Sequence, residues 1–335
     1  MKRRATIRDV AAQAGVSLST VSRVLNDRSE NHMRPETREK VLDAIKDLNY
    51  APVKAAQTLR RLRTKTLGIV LPDITNLYFA LLARGIESVA FERGFTTLIC
   101  DCNHQPTREV QYLEMLRSED VEGMIFVPVG IPDRRALTAV LDQGIRVVAV
   151  DRRIPGLPIA EVDNYSASYE LAEYVLKNGY RRIAYIAGPT TVSTSEDRLA
   201  GMSDALTANG IRPTSIHRGD FTFESGHACA LRILRETNAD AILTANDLMA
   251  FGALRAAEES GKTVPRDLGV AGFDHVPHVP YATFMHPELT TVEVPIHELG
   301  RQAACLLIDE QGDSVRLATR LIRGGTSQGR VKGES

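Results

Sequence analysis

Two sets of residues in this 335-residue chain have the types and spacing to do chemistry. The first is Leu18, Ser19, Ser22 and Arg23, which share one side of a predicted helix and set short polar groups around one arginine. Such a face suits a DNA major groove, where arginine grips a guanine edge and hydroxyls reach phosphates or bases. The second set is Tyr78, Phe79, Asp151, Arg152, Arg198, Phe221, Asn246, Phe273 and Asp274, placed just beyond short apolar runs. Carboxylates, amides and guanidinium groups can clamp a hydroxyl that both donates and accepts, while a ring stacks on an apolar C–H face. That mixture points to a sugar or another small polyhydroxylated ligand. Asp163 and Asp247 are read instead as helix caps.

The elements that position the first set are legible in residues Thr6 to Asn26. Thr6 and Asp9 form a capping box for a helix with Ile7, Val10, Ala11 and Ala14 on one apolar face. Ala11 lets a second helix cross closely, and Gly15 supplies the positive φ of a tight turn. Ser17 caps the second helix, whose inner side is Val21, Val24 and Leu25. This is a helix-turn-helix pattern. A third helix opens at Pro35 and runs to Leu48, with Val41, Leu42, Ile45 and Leu48 expected inward. Tyr50-Ala51-Pro52 breaks it, and Val53 to Arg63 has helix propensity but is too short and too charged to be firmly helical alone.

From Thr66 the pattern changes. Apolar runs at 67–71, 97–100, 123–127, 147–150, 183–187, 241–244 and 269–273 alternate with helical stretches, the first from Tyr78 to Arg93. Short buried strands alternating with helices imply a parallel, doubly wound sheet, and about 270 residues fit two lobes. Ligands of such sheets bind beyond the carboxyl ends of the strands. The residues expected at that mouth are Asp73 to Phe79, Asp101, Asp151 to Arg153, Gly188 to Arg198, Asp220-Phe221, Asn246-Asp247 and Asp274-His275.

Charge separates the two regions. Residues 1–65 carry fifteen Lys and Arg against seven Asp and Glu, a net of +8, while the whole chain is −1. A basic head on an acidic body confines a nucleic-acid contact to one end. No apolar run is long enough for a membrane span, and the basic N-terminus lacks a signal peptide's apolar stretch, so a cytoplasmic protein is expected. Cys100 and Cys102, taken as facing opposite sides of an apolar strand, make a poor metal pair. With Cys229 and Cys305 they are expected to be resting thiols. His104, His217, His227, His275, His278, His286 and His297 are scattered without metal spacing. There is no G-x-G-x-x-G after the first strand, no P-loop and no nucleophile elbow. Neither an enzyme nor a cofactor is expected.

The chain resembles the lac repressor (LacI/GalR) family of bacterial transcription regulators over nearly its full length. The motifs are Asp9-Val10-Ala11, Ala14-Gly15-Val16-Ser17, Thr20-Val21-Ser22-Arg23-Val24-Leu25-Asn26, Thr37-Arg38-Glu39-Lys40-Val41, Leu48-Asn49-Tyr50 with Pro52, Ala56-Gln57 with Leu59, Gly188-Pro189, Arg198-Leu199-Ala200-Gly201, Asn246-Asp247 with Met249-Ala250 and Gly252-Ala253, and Gly272-Phe273-Asp274. The resemblance implies that Leu18, Ser19 and Arg23 read bases, with Ser17 at the head of their helix. It implies that Thr6, Thr20, Ser22, Asn26 and Tyr50 contact phosphates. Lys54 to Leu59 match a hinge helix that folds on operator DNA, Leu59 being a minor-groove wedge beside Ala56. Asn76, Tyr78, Phe79, Asp151, Arg152, Thr194, Arg198, Phe221, Asn246 and Asp274 match effector contacts in a periplasmic-binding-protein-like body, most like a ribose-type monosaccharide pocket.

The expected architecture is therefore α/β. A helix-turn-helix headpiece spans 1–50 and a hinge 51–65. A two-lobed effector and dimerisation domain spans 66–335, its first lobe about 66–162 plus 293–325 and its second about 163–292. Departures from the family pattern are a loop from Asp27 to Arg34 longer by about two residues, Arg34 at a capping position, Val53 at the hinge start and Val294 where relatives often carry glutamine. No apolar heptads follow Arg323, so a homodimer on a palindromic operator is expected. Regulation by a phosphoprotein or a non-sugar corepressor is the alternative, with a sugar-modifying enzyme more remote.

Overall fold

The structure is a computed structural model, and it describes residues 5–25, 33–48, 64–276, 288–309 and 314–329. The chain divides into two units, Met1–Thr64 and Lys65–Ser335. In the first, α1 (Ile7–Ala14), α2 (Leu18–Leu25) and α3 (Pro35–Asp47) follow the sequence pattern closely. Thr6 and Asp9 form the reciprocal capping box at α1, and Gly15 closes that helix at φ 65°. Val10, Ala11, Val21, Val24, Val41 and Ala44 make one small core, with Ile45 and Leu48 packed against it.

Leu42 departs from expectation. It is 41% exposed, and Ala44 takes an inward place beside Val41. The reason is angular: a residue next to Val41 lies about 100° around the helix, whereas the third and fourth residues on return to its face.

In the second unit, parallel strands and helices build two lobes. The first sheet has six parallel strands in the order β11-β5-β4-β3-β1-β2: β1 Thr66–Leu71, β2 Thr96–Asp101, β3 Gly123–Phe126, β4 Arg146–Val150, β5 Ile159–Val162 and β11 Ser314–Leu317. It is covered by α4 (Leu77–Glu92), α5 (Pro106–Ser118), α6 (Arg134–Leu141) and α11 (Ile296–Ile308). The second sheet is β7-β6-β8-β9: β6 Ile183–Ala187, β7 Ser215–Arg218, β8 Ala241–Thr244 and β9 Gly269–Ala271. Its helices are α7 (Asn164–Lys177), α8 (Ser193–Ala208), α9 (Phe223–Glu236) and α10 (Asp247–Glu259). An antiparallel ribbon of β10 (Thr291–Glu293) and β12 (Arg320–Ile322) adjoins β9 through the Ala271–Thr290 bridge. The buried strands β1, β3, β6 and β8 are near-continuous apolar runs, as strands covered on both faces require.

Among the described residues the chain crosses between lobes three times: β5 to α7, β10 to α11, and β11 to β12. The third crossing moves the tail. Thr326 Oγ1 donates to the Val270 carbonyl, and Asn178 Nδ2 donates to that of Ser327. Residues from 320 therefore sit with the second lobe, not with the first as expected; only β11, far downstream, returns to the first sheet. β5, β7 and β10–β12 escaped the sequence reading because each short run is broken by a charged residue, and β7 alternates exposed and half-buried side chains. A second correction concerns the thiols. Residues two apart along a strand share a face, and Cys100 and Cys102 are buried in the same apolar cluster. Burial pushes them up to about 11 and about 12, so both stay protonated.

Replacing Gly15 with Val puts a branched side chain at a left-handed φ, which costs about 1–2 kcal/mol. Amide exchange in the full chain should show α1 and α2 opening about ten times more often, with the sheets unaffected. Unchanged protection of α1 would contradict this reading of the turn.

Candidate functional site

On the headpiece, α2 turns its polar side outward. Ser17 receives the Thr20 N–H at 3.2 Å and shares its hydroxyl with Ser19 at 2.7 Å and Thr20 at 2.9 Å. Leu18, Ser19 and Arg23 are exposed, and Thr20 and Ser22 are half-buried, on the side away from Val21 and Val24. Thr6 is used by the α1 cap. Asn26, Tyr50, Lys54, Ala56 and Leu59 lie outside the described residues. Arg34 precedes Pro35 at the head of α3 and makes no side-chain cap.

The second site is a cleft at the carboxyl ends of both sheets. It encloses a cavity of about 230 Å³ lined by all ten of the effector residues expected from sequence. That is below the roughly 300–1,000 Å³ typical of drug-sized ligands and suits a small one.

In the first lobe, Asn76 caps α4 by accepting the Tyr78 N–H. That cap starts the helix so that Tyr78 and Phe79 point into the cleft. Tyr78 Oη donates to Asp151 Oδ1 at 2.9 Å. Arg152 Nη1 donates to the carbonyls of Pro128 at 2.6 Å and Val129 at 3.0 Å. Its Cζ lies 5.6 Å from the Phe79 ring centre and 6.0 Å from that of Phe221, so rings from both lobes flank the cation.

In the second lobe, Arg198 projects from α8. Nε donates to Asn164 Oδ1 at 2.8 Å and Nη1 to the Ala245 carbonyl at 2.6 Å. Nη1 also lies 3.1 Å from Asp274 Oδ1. Asn246, rather than Asp247, caps α10, and its Nδ2 holds the Phe221 carbonyl. Asp247 instead accepts the Thr291 hydroxyl at 2.6 Å, so its expected capping role is corrected; Asp163 does cap α7. Phe273 is also reassigned. It is buried with its ring 3.8 Å from the Arg198 Cζ, supporting the arginine instead of lining the cavity. Asp101 shapes the β1–α4 loop by accepting the Ile74 N–H, and Arg153 pairs with Asp197; neither lines the cavity.

Four cavity-wall residues carry backbone strain. His104, Asp151, Phe221 and Asp274 have φ of 55°, 64°, 70° and 109°. Each such residue costs of order 1–3 kcal/mol and persists where the surroundings over-determine it. Two buried polar atoms of the cavity wall have no hydrogen-bond partner among the described residues, the donor Arg152 Nε and the acceptor Asp274 Oδ1. The Arg198 contact to Asp274 is at ion-pair distance but off the hydrogen-bond direction. An unpaired donor and an unpaired acceptor are what a hydroxylated ligand, which both donates and accepts, complements.

Burial pushes Asp274 up to about 7, against the pull of Arg198, with Asp151 adding to the rise. Asp247 is pushed up to about 8 by burial and then by Asp274, against its bonds from Thr291 and Val276. Tyr78 stays far above its usual range through burial and its carboxylate neighbours. Burial lowers Arg152. The same burial acts on Arg198, but Asp274 and Asp151 outweigh it and raise it.

Sequence reasoning missed His104, Thr222, Phe223, Glu224 and Leu248 on the cavity wall. One signal was present. Asp73-x-Thr75 and Asp220-x-Thr222 form matching rings on opposite lobes, in which the carboxylate accepts the threonine N–H and hydroxyl. Asn164 and Glu109, which hold the arginine surroundings, were also missed. No sequence signal marks either, because each acts only through tertiary contacts.

Two family models match this chain. Residues 6–53 match the bacterial regulatory proteins of the lacI family, and residues 64–323 match the periplasmic binding proteins and sugar binding domain of the LacI family. The HTH-type transcriptional repressor CytR of Escherichia coli (strain K12) is 34% identical, covering 96% of each chain. A ribose operon repressor of Halalkalibacterium halodurans is 35% identical over 91% of this chain and 90% of its own. The crystal structure of the lac repressor dimer bound to operator and the anti-inducer ONPF superposes with a TM-score of 0.82. It shares 28% identity and covers 97% of this chain and 99% of its own. The fold pairs a helix-turn-helix unit with a cleft between two parallel-sheet lobes, as this class of ligand-responsive regulators does. The chain belongs to the LacI family of bacterial transcription regulators.

The raised carboxyls set a pH dependence. A carboxyl whose folded value lies above its unfolded one stabilises below the unfolded value, and that stability is lost as pH rises through the folded value. For Asp274 and Asp247 the window runs from about 4 to about 8. Differential scanning calorimetry without ligand should therefore give a lower Tm for the two-lobed unit at pH 8.5 than at pH 5.5. Asp247→Asn should reduce that drop; an equal or rising Tm in the parent chain would overturn the assignment.

Proposed function

We propose that this chain is a repressor that binds a palindromic operator as a homodimer and releases or tightens its grip when a small sugar-like effector enters the cleft. The effector half rests above all on the buried Arg152 Nε and Asp274 Oδ1, an unsatisfied donor and acceptor in one cavity flanked by Phe79 and Phe221. The DNA half rests on the polar outer side of α2 and the +8 charge of residues 1–65. Leu18, Ser19 and Arg23 read bases. Thr6, Thr20 and Ser22, with Asn26 and Tyr50, serve the phosphates, and Ser17 heads the helix that carries Thr20 and Ser22. Lys54, Ala56 and Leu59 serve the operator centre. Asn76, Tyr78, Phe79, Asp151, Arg152, Thr194, Arg198, Phe221, Asn246 and Asp274 hold the effector. The repressors and the lac repressor dimer described above support operator DNA, a sugar and a second copy as partners, and a protein that works in the cytoplasm without catalysing a reaction.

The proposed coupling runs through the crossovers. The Asp274 N–H donates to the Val292 carbonyl, and the Val294 N–H to that of Asp274, so this ligand-facing residue is paired with the crossing strand. Asn164, the first residue after another crossing, holds Arg198. Closing on a ligand therefore loads two of the three connections directly. The sign of the response follows from which lobe arrangement the operator-bound dimer prefers.

Calorimetric titration with simple pentoses and hexoses, with operator gel shifts in parallel, tests the effector half. At least one sugar should bind and alter operator affinity, and Asp274→Ala should remove that response while leaving operator affinity near its starting value. Insensitivity to every sugar would sink the effector half. Arg23→Ala should cost about 1–3 kcal/mol on the preferred operator and flatten preference at one base pair per half-site. A uniform loss across all sequences would reassign Arg23 to the phosphates.

A further inference from the structure

One peptide unit of the first lobe is gripped by opposite charges. Arg152 Nη1 donates to the Pro128 carbonyl at 2.6 Å. The N–H of the same Pro128–Val129 peptide donates to Oε2 of Glu109, also at 2.6 Å. The C=O and N–H of a trans peptide point in opposite directions. Carboxylate and guanidinium therefore hold the two ends of one dipole, and each bond polarises the peptide in favour of the other.

Glu109 is an unusual residue to find there. It belongs to the first turn of α5, where acids ordinarily face water, yet it is 2% exposed. Burial keeps its carboxyl above the ordinary range, against the opposing effects of the Val129 N–H and Arg152. A buried carboxylate is costly unless something is gained from it. The cleft wall gains a fixed Arg152. With Nη1 engaged by two carbonyls, Nε is a buried donor without a hydrogen-bond partner among the described residues.

We infer that Glu109 is a positioning residue: by fixing the plane of the Pro128–Val129 peptide it sets the Arg152 guanidinium between Phe79 and Phe221 and decides which of its donors meets the ligand. The inference rests on the reading of the cleft as the effector site, and it deepens that reading by one residue outside the cavity wall.

Its test has one arm without ligand and one with. In the full-length chain carrying ¹⁵N-arginine, the Arg152 signals are assigned by their loss in Arg152→Lys. Nη1 bonded to two carbonyls blocks rotation about Cζ–Nε, so the parent chain should show resolved Nη signals. Glu109→Ala should average them, and Glu109→Gln, which keeps an oxygen for the Val129 N–H, should restore them. Glu109→Met, similar in volume and without an oxygen acceptor, should behave as Ala does and serves if the alanine variant does not fold. A merely stabilising role would lower Tm and leave the signals resolved in Ala and Met, which overturns the inference; so does a glutamine variant that averages.

The second arm uses D-ribose as the probe in calorimetry. Glu109→Met should weaken binding about tenfold in the parent chain and cause no further loss in an Arg152→Lys background. Additive losses would contradict positioning through Arg152. If D-ribose and its fellow sugars fail to bind even the parent chain, the effector reading falls, and the ligand-free signals still decide the role of Glu109.

Discussion

Two guanidinium groups have to be kept charged while buried in the cleft wall, and most of what surrounds the cavity serves that end. The solution is nearly the same in both lobes. Arg152 gives Nη1 to the Pro128 and Val129 carbonyls, stands near Asp151 and lies between Phe79 and Phe221. Arg198 gives Nη1 to the Ala245 carbonyl, pairs with Asp274 and rests on Phe273. Backbone carbonyls at strand ends are fixed acceptors, so they hold a cation without a second full charge. The acids beside them, Asp151 and Asp274, line the cavity as well. Strain at Asp151, Phe221 and Asp274 follows from crowding so many groups at the ends of short strands.

The same arrangement ties the cavity to the joints between lobes. Asp274 is hydrogen-bonded on both sides of its backbone to the β10 crossing, and Asn164 reaches Arg198 from the first residue of α7. Asp247, buried behind Asp274, takes the hydroxyl of Thr291 on the same crossing. Arg198 and Asp274 are thus joined to the lobe crossings without an intervening layer.

Local rules made much of this legible. Thr6, Asp9, Gly15 and Ser17 announce their caps and turn because each works within four residues of chain. Strand ends were readable from buried apolar runs, and all ten effector residues picked from them and from the family resemblance line the cavity. The failures have two causes, a slip in local periodicity and contacts set only by the tertiary fold. Leu42 was misjudged by one step of helix rotation, and the thiols by one step of strand alternation. Phe273 sits at a strand end like the others, but whether a ring faces ligand or supports a cation depends on what packs above it. Asn246 and Asp247 are both competent caps, and only the position of Thr291, forty-four residues on, separates their roles. Gly188, conspicuous as a motif glycine, finds its reason in space: a Cβ there would stand 2.3 Å from the Phe221 ring. Glu109 had no chance of being found, because its partner is a peptide bond in another loop.

The account stands on an energetic link between cleft and operator, and such a link is reciprocal. The most direct measurement is calorimetric affinity of the bound sugar for the free protein and for the protein saturated with operator. The account predicts that the two differ by the same factor by which that sugar changes operator affinity, whichever its sign. Equal sugar affinities in the two states would contradict it, however tightly the sugar binds.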